Sequence, residues 1–456
     1  MSNECPDSSG PSRRNFLRTT AAALAGSALA GTVTVPVHAA SDDTLKVALV
    51  GCGARGAGAA VQALSTAGPV KLWAMADAFS NRLQTCLRNI EREFADGNHR
   101  ERRAPLAGRI DVPQERQFVG LDAYRRAIES GVDVVLLAEP PGFRPKHFEY
   151  AMNAGKHVFM EKPVATDPAG VRRVLAAAEA AKKKNLKVGV GLQRRHQACY
   201  HDAIQRIRDG AIGEILALRC YWNSAAPAKS PVPRGRLTEL EYQVRNWYFF
   251  SWLSGDHICE QHVHNIDVCN WITQAHPVKA QGLGGRQVRT GKEYGNIFDH
   301  HVVEFMYADG TKMFSQCRQI PGCWNYVAES AHGTEGVANL YASGAQIVVG
   351  AKKAWRSARE RASGKRGAYQ AEHDALFDAI RNDKAYNEAE YGALSTMTAI
   401  LGRTATYSGQ TVSWDAAFQS PNALTTDAEN WDAAAPIFPD PDGRYAIAVP
   451  GTTRVI

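Results

Sequence analysis

The sequence predicts an α/β protein in two parts: a doubly wound parallel sheet, then an α+β domain built on a largely antiparallel open sheet. Three observations carry this expectation. From Leu45 to Gln193, β-branched apolar runs alternate with helical stretches, the pattern of parallel strands joined by crossover helices. After Gln193 strands follow one another directly, and "YADGTKMF" carries an Asp-Gly hairpin turn. The chain has 456 residues, 45% of them hydrophobic, which suffices for two cores.

Residues 1–39 read as a signal peptide. "SRRNFLR" (Ser12 to Arg18) precedes a mild Ala/Gly-rich apolar run, and a small-residue exit places cleavage after Ala39. Paired Arg13 and Arg14, followed by Phe16 and Leu17, point to the twin-arginine route and its export machinery. The run is short and broken by glycines, unlike a membrane anchor, and no other stretch is long and apolar enough to span. The expected location is therefore the periplasm or another exported compartment, with no membrane attachment after cleavage.

Residues 40–193 form the first domain. "LKVALVGCGARGAGAA" is a strand, a glycine turn and the start of a helix; "VKLWAMADAF" is the second strand; "VDVVLLAEPP" is a third, stopped by a Pro pair. "HVFMEKPVA" is strand then turn. "PAGVRRVLAAAEAAKKKN" is a helix whose C-terminal lysines complement its dipole, and "LKVGVGLQ" closes the series. Residues 194–420 form the second domain, with "GEILALRCYWNS", "VKAQGLGGRQV" and "GVANLYA" as further strands. Two amphipathic helices near residues 370–408 are expected to pack back on the first domain. Residues 421–456, rich in Pro and Asp, read as a surface tail.

Net charge is +7, and "AKKAWRSARERASGKRG" (Ala351 to Gly367) supplies a local excess. No nucleic-acid-binding motif accompanies it, so a solvated or subunit-facing segment is the simpler reading. Nine scattered cysteines with no C-x-x-C pair exclude a disulfide scaffold and read as buried thiols.

The glycine turn is Gly51-x-Gly53-x-x-Gly56, directly after a strand and before a helix. Gly51 permits the tight turn, Gly53 lets the backbone approach a pyrophosphate, and Gly56 allows close helix–strand packing. The helix start at Ala54 and Arg55 faces the anion. Asp77 ends the next strand, 21 residues after Gly56. A carboxylate there accepts the ribose hydroxyls of NAD and repels a 2′-phosphate. Arg82 lies within reach of such a phosphate, so NADP is the less favoured alternative.

With the glycine loop, "MEKPVATD" (Met160 to Asp167), "GLQRRH" and a His-bearing helix in this order, the chain resembles the glucose–fructose oxidoreductase, inositol dehydrogenase and MocA (Gfo/Idh/MocA) family. The resemblance covers nearly all of the chain after the signal. It implies that Glu161 and Lys162 lie at the nicotinamide, with Lys162 reaching the reacting hydroxyl. It also implies a carboxylate and, four residues later, a histidine on the first helix of the second domain, followed by x-x-Asp. The matching residues in "SGDHICEQHVHNIDVCNW" are Glu260, His264 and Asp267, with Glu260 standing where the family usually has Asp.

Four-residue spacing puts Glu260 and His264 on one helix face. A neutral imidazole at His264 can take the O–H proton of a secondary alcohol, Lys162 can stabilise the developing alkoxide, and Glu260 can bind a neighbouring hydroxyl or tune His264. His257, Glu260 and His264 also make a possible zinc trio. The chemistry implied by the resemblance needs no metal, and none is expected. Weaker substrate candidates are Arg194 and His196 after the last parallel strand, the aromatic wall of Trp247 or Trp252, and His300. His300 and His301 are neighbours on one strand, so only one of them can face the site.

The resulting expectation is an exported, homo-oligomeric, NAD-dependent oxidoreductase of a sugar or polyol hydroxyl. Free NAD is scarce outside the cytoplasm, so the cofactor is expected to be retained and recycled. Two alternatives stay open. One is an NAD-dependent glycosidase that oxidises, eliminates and re-reduces. The other is a non-catalytic sugar-binding protein.

Overall fold

The computed structural model describes residues 43–95, 106–225, 230–358 and 367–455. The signal segment, its cleavage site and the middle of the basic stretch lie outside the described residues. No helix among the described residues is long and apolar enough to cross a membrane.

The first sheet is six-stranded and wholly parallel, in the order β3-β2-β1-β4-β5-β6. Its elements are β1 (Leu45–Val50), α1 (Ala54–Leu64), β2 (Val70–Asp77), α2 (Ser80–Ala95), β3 (Gln117–Val119), α3 (Ala123–Glu129), β4 (Val134–Leu137), α4 (Arg144–Asn153), β5 (His157–Met160), α5 (Pro168–Lys183) and β6 (Val188–Val190). Helices cover both faces, so the four residues of β4 are all buried, which is why "VVLL" reads as a continuous apolar run. Asp167 starts α5 by accepting the Gly170 N–H at 2.7 Å, with Pro168 at the first helical position.

After α6 (Ala198–Arg208), β7 (Ile215–Ser224) opens the second sheet. Helix α7 (Glu239–Arg245), capped by a Thr238/Glu241 capping box, leads to the short turns α8 (Ser251–Ser254) and α9 (His257–Glu260) and to α10 (Val263–Thr273). Then come β8 (Lys279–Gly285), β9 (His300–Met306), β10 (Lys312–Gln319), β11 (Tyr326–Gly333), β12 (Gly336–Tyr341), β13 (Gly344–Val349) and β14 (Lys352–Arg356). The nine strands are ordered β14-β13-β12-β11-β7-β10-β9-β8-β15, where β15 is Val412–Ser413. All neighbours are antiparallel except β7 and β10. The β9–β10 turn is the Asp309-Gly310 turn, with Gly310 at φ +89° and the Asp309 carboxylate accepting the Thr311 N–H.

One face of this sheet packs on α10 and on α12 (Ala389–Ser408). The other leaves Leu283, Val302 and Phe314 exposed. Helix α11 (Ala368–Arg381) joins the core of the first sheet through Leu376 and Phe377. The following strand-like link pairs with β6, where Val188 donates to the Tyr386 carbonyl and Glu388 accepts the Val190 N–H. Helix α12 then touches both sheets: Gly392 packs on Val190 of β6, and Gly402 on Phe305 of β9. Past α13 (Trp414–Gln419) no helix or strand forms through Val455, yet Ala435 and Tyr445 are buried.

Candidate active site

Three strand ends meet at the glycine turn. Gly51 adopts φ +93°, and a Cβ there would sit 2.3 Å from the Glu139 backbone nitrogen at the end of β4. A Cβ on Gly56 would lie 2.0 Å from the Gly51 carbonyl, so α1 can rest on the turn only with glycine there. A Cβ on Gly53 would meet nothing within 4 Å, which leaves open space in front of the helix start. The first intrahelical bond is Ala57 N–H to the Gly53 carbonyl, so the N–H groups of Ala54, Arg55 and Gly56 precede the ladder. Open space facing these N–H groups fits a pyrophosphate.

Asp77 is tied into the loop. Its Oδ2 accepts the Cys52 N–H at 2.7 Å and its Oδ1 accepts the Phe79 N–H at 2.8 Å. Burial lifts its pKa; those two N–H groups and the charges of Arg82 and Arg245 oppose the lift. The carboxylate that the sequence assigns to a ribose therefore also braces the ends of β1 and β2. Arg55 and Glu161 are brought together by an ion pair at 2.8 Å, with the Arg55 guanidinium over the ring of Tyr369.

Lys162 and the His-rich stretch meet across 98 residues of sequence. The Lys162 ammonium donates to the Glu260 backbone carbonyl and lies 3.4 Å from Glu260 Oε1. This contact depends on a feature that the spacing argument gets wrong. Glu260 and His264 do not share one helix: α9 ends at Glu260 and α10 begins at Val263. In an unbroken helix the Glu260 carbonyl would accept the His264 N–H. Here that N–H turns to the Gln261 carbonyl, and the freed Glu260 oxygen receives Lys162. Side chains from the sheet hold the break open: Gln319 donates to Gln261 Oε1 at 2.8 Å, and Ser315 meets His262 Nε2 at 2.8 Å.

His264 is buried against Trp222, ring on ring at 6.0 Å, and its Nδ1 has no hydrogen-bond partner among the described residues. Burial, then the charges of Lys162 and Arg194, push its pKa well below the ordinary 6.5. It is therefore a neutral imidazole that feels the charge of the Lys162 ammonium, a group able to accept a proton.

Several predicted contacts go elsewhere. Arg194 is buried and pairs with Glu329, which also accepts from Asn265 Nδ2 at 2.5 Å and Tyr200 Oη at 3.1 Å. His196 meets the Glu388 carboxylate at 2.9 Å. Both serve buried carboxylates, because the turn after β6 packs against α6, α10 and α11. Trp252 is core, with its Nε1–H on Gln243; Trp247 is half-buried against Tyr248. Alternation along β9 sends His301 inward and His300, paired with Asp299, to the opposite, open face; the expectation for His300 is corrected accordingly.

The zinc trio that the spacing allows is not assembled, since Glu260 turns to Lys162 and His257 to Asp256. Among the described residues, Asp256, His257 and His301 are the one group close enough to share a metal. Its carboxylate is already saturated. Oδ1 accepts from the backbone and ring nitrogens of His257, and Oδ2 accepts from Phe298 N–H and Tyr407 Oη.

Sequence reasoning missed Glu139 and Arg144. Arg144, fully buried, ties the Glu139 carbonyl to the Pro163 carbonyl and so fixes β4's end against the Lys162 turn. The Glu139 carboxylate, buried with both oxygens lacking hydrogen-bond partners among the described residues, lies 3.4 Å from His147 Nδ1. The available signal was a charged residue immediately after an apolar strand, in "LLAEPPGFR".

The family described as "Oxidoreductase family, NAD-binding Rossmann fold" matches residues 45–191, and the "GFO/IDH/MocA C-terminal domain" matches residues 200–338. The chain belongs to the Gfo/Idh/MocA family. Its first domain is thus an NAD-binding Rossmann domain, in accord with the open space before Gly53. Among curated members, it is 29% identical over 196 residues to inositol 2-dehydrogenase 3 of Saccharopolyspora erythraea, covering 41% of this chain and 51% of that one. It is 28% identical over 237 residues to inositol 2-dehydrogenase of Acidiphilium cryptum, covering 51% and 61%. The chain thus spans about half the length of the curated relatives it matches. Among solved structures, levoglucosan dehydrogenase in complex with NADH and levoglucosan superposes with a TM-score of 0.62 at 18% identity, covering 81% of this chain and 99% of that one. The aldose-aldose oxidoreductase of Caulobacter crescentus, complexed with glycerol, gives 0.61 at 19% identity with the same coverage. At these identities the likeness speaks for the fold.

Proposed function

We propose that this family member is an NAD-dependent oxidoreductase acting on a secondary hydroxyl of a sugar, polyol or sugar derivative, with its cofactor retained and recycled. The observation that carries the reading is the contact of Lys162, in the turn after the Rossmann strand β5, with Glu260, just before the helix that bears the buried His264. The inositol, levoglucosan and aldose activities in the names of its relatives support the substrate class.

Bound NAD supplies the hydride acceptor. Gly51, Gly53 and Gly56 and the N–H groups of Ala54 and Arg55 would hold its pyrophosphate, and Asp77 its ribose. His264 takes the hydroxyl proton as the C–H hydride leaves, and Lys162 steadies the charge that develops on that oxygen. Glu260 keeps the ammonium at the cleft and offers its carboxylate to a neighbouring hydroxyl. A second carbonyl compound in the same cleft would accept the hydride at its carbon and draw the proton from His264 to its oxygen, readying the site for another turnover. We further propose export by the twin-arginine route with the cofactor loaded, and a periplasmic site of action, on the strength of residues 12–39.

The test has two parts. Denatured, purified protein is assayed by mass spectrometry for a nicotinamide dinucleotide. Single-turnover reduction of bound NAD is then followed by absorbance across a polyol and sugar panel. Reduction with some member of the panel supports the reading. Glycoside cleavage with no net NADH selects the glycosidase, and ligand binding with neither reaction selects the non-catalytic binder.

A further inference from the structure

The Pro/Asp-rich tail does more than lie on the surface. Leaving α13, it runs first along the Rossmann domain, where Asp167 Oδ2 accepts the Leu424 N–H at 2.7 Å. Lys146 Nζ meets Glu429 at 2.8 Å and the Asp427 carbonyl at 3.1 Å, and Arg125 pairs with the same Glu429. Trp431 then stacks on Phe79, with ring centroids 5.1 Å apart and planes 25° from parallel. Beyond this point the tail crosses to the second domain. Gln243 donates to the Ile437 carbonyl at 2.7 Å, Tyr445 Oη donates to Glu239 at 2.6 Å, and Gly451 N–H reaches the Ser408 carbonyl.

The crossing point is Phe79, two residues after Asp77 and bonded to its carboxylate through the backbone N–H. In a Rossmann domain the carboxylate at the end of β2 marks the adenosine ribose. Phe79 also lies under the guanidinium of Arg245, 3.9 Å from the ring centroid, so α7 of the second domain reaches the same spot. Phe79 and Leu121 from the first domain, Tyr242 and Trp252 from the second, and Ala435 and Tyr445 from the tail form one apolar cluster. The tail therefore bridges both domains at the adenosine end of the dinucleotide site.

We propose that residues 421–455 are a strap that closes the adenosine end of the NAD site, that Phe79, Arg245 and Trp431 form its clasp, and that it slows NAD release. The inference rests on the NAD reading above and supplies a physical means for the retention proposed there. The latch on the Rossmann side is weak: Glu429 and Arg125 are each about two-fifths exposed. Partly exposed ion pairs are screened by salt, so the strap opens and recloses rather than sealing the site.

The experiment loads the full-length protein with NAD, adds an excess of isotope-labelled NAD, and measures exchange by rapid gel filtration and mass spectrometry at low and high salt. Trp431→Ala should release NAD about 2- to 10-fold faster, the range for losing one aromatic stack. Glu429→Gln, a conservative change on a partly exposed side chain, should accelerate release roughly two- to fivefold and remove most of the salt dependence. The second variant carries the test if the first does not fold. Wild-type exchange rates and unchanged salt dependence in the folded variants overturn the strap and leave NAD binding standing. Wild-type protein that carries no dinucleotide and binds none removes the NAD reading and the strap together.

Discussion

Glu329 offers a stability measurement whose sign runs against intuition. It sits on β11, fully buried, facing the helix that carries His264, with Arg194, Asn265 and Tyr200 around its carboxyl. Burial pushes its pKa from the ordinary 4.5 up to about 7, and Arg194 only partly opposes this. The folded-state pKa is therefore raised. The folded protein binds the extra proton between the two values, so stability is fully present below 4.5 and is lost as pH rises through 7. Each unit is worth about 1.4 kcal/mol, so the loss between about pH 5.5 and pH 8 comes to about 2 kcal/mol. Glu329→Gln keeps the shape of the protonated acid and does not titrate. We expect its stability relative to wild type to rise by about 2 kcal/mol between about pH 5.5 and pH 8. Urea unfolding of both proteins at the two pH values measures the gap, and comparing the pair cancels the other titrating groups. If the gap instead stays the same between about pH 5.5 and pH 8, Glu329 does not titrate in that range and the reasoning fails.

His264→Ala should leave NAD binding nearly intact and slow single-turnover oxidation about 10²–10⁴-fold; the double variant with Lys162→Ala should lose less than the product of the two single effects. Because the pKa of His264 is lowered, its base form persists as pH falls below 6.5, and a wild-type rate that halves near 6.5 through this group would contradict its burial. Asp77→Ala should weaken NAD relative to NADP, an affinity ratio that titration of both cofactors reads directly; an unchanged ratio refutes the ribose role. Activity should survive prolonged chelation, and stoichiometric metal lost on His301→Ala would show that the Asp256 cluster is a metal site after all. Sedimentation should show an oligomer, because Leu283, Val302 and Phe314 lie exposed on the open sheet face; monomer alone at micromolar concentration would falsify this.

The amino-acid sequence by itself determined the parts whose physics is local. Strand and helix periodicities specify a parallel sheet before Gln193 and a largely antiparallel one after it, because each depends on neighbours a few residues away. The glycine turn is equally local: Gly51 and Gly56 are required by close backbone contacts, Gly53 leaves open space before the helix, and the position of Asp77 follows from the length of one β-α-β unit. Only the tertiary structure decided the rest. The break between Glu260 and Val263 is held by Gln319 and Ser315 from β10, some fifty residues downstream, so no spacing rule could place it. Arg194 and His196 looked available to a substrate until buried carboxylates more than a hundred residues away claimed them. The path of the tail over Phe79 is set by a scatter of single contacts from both domains, none of which has a period or a motif to read.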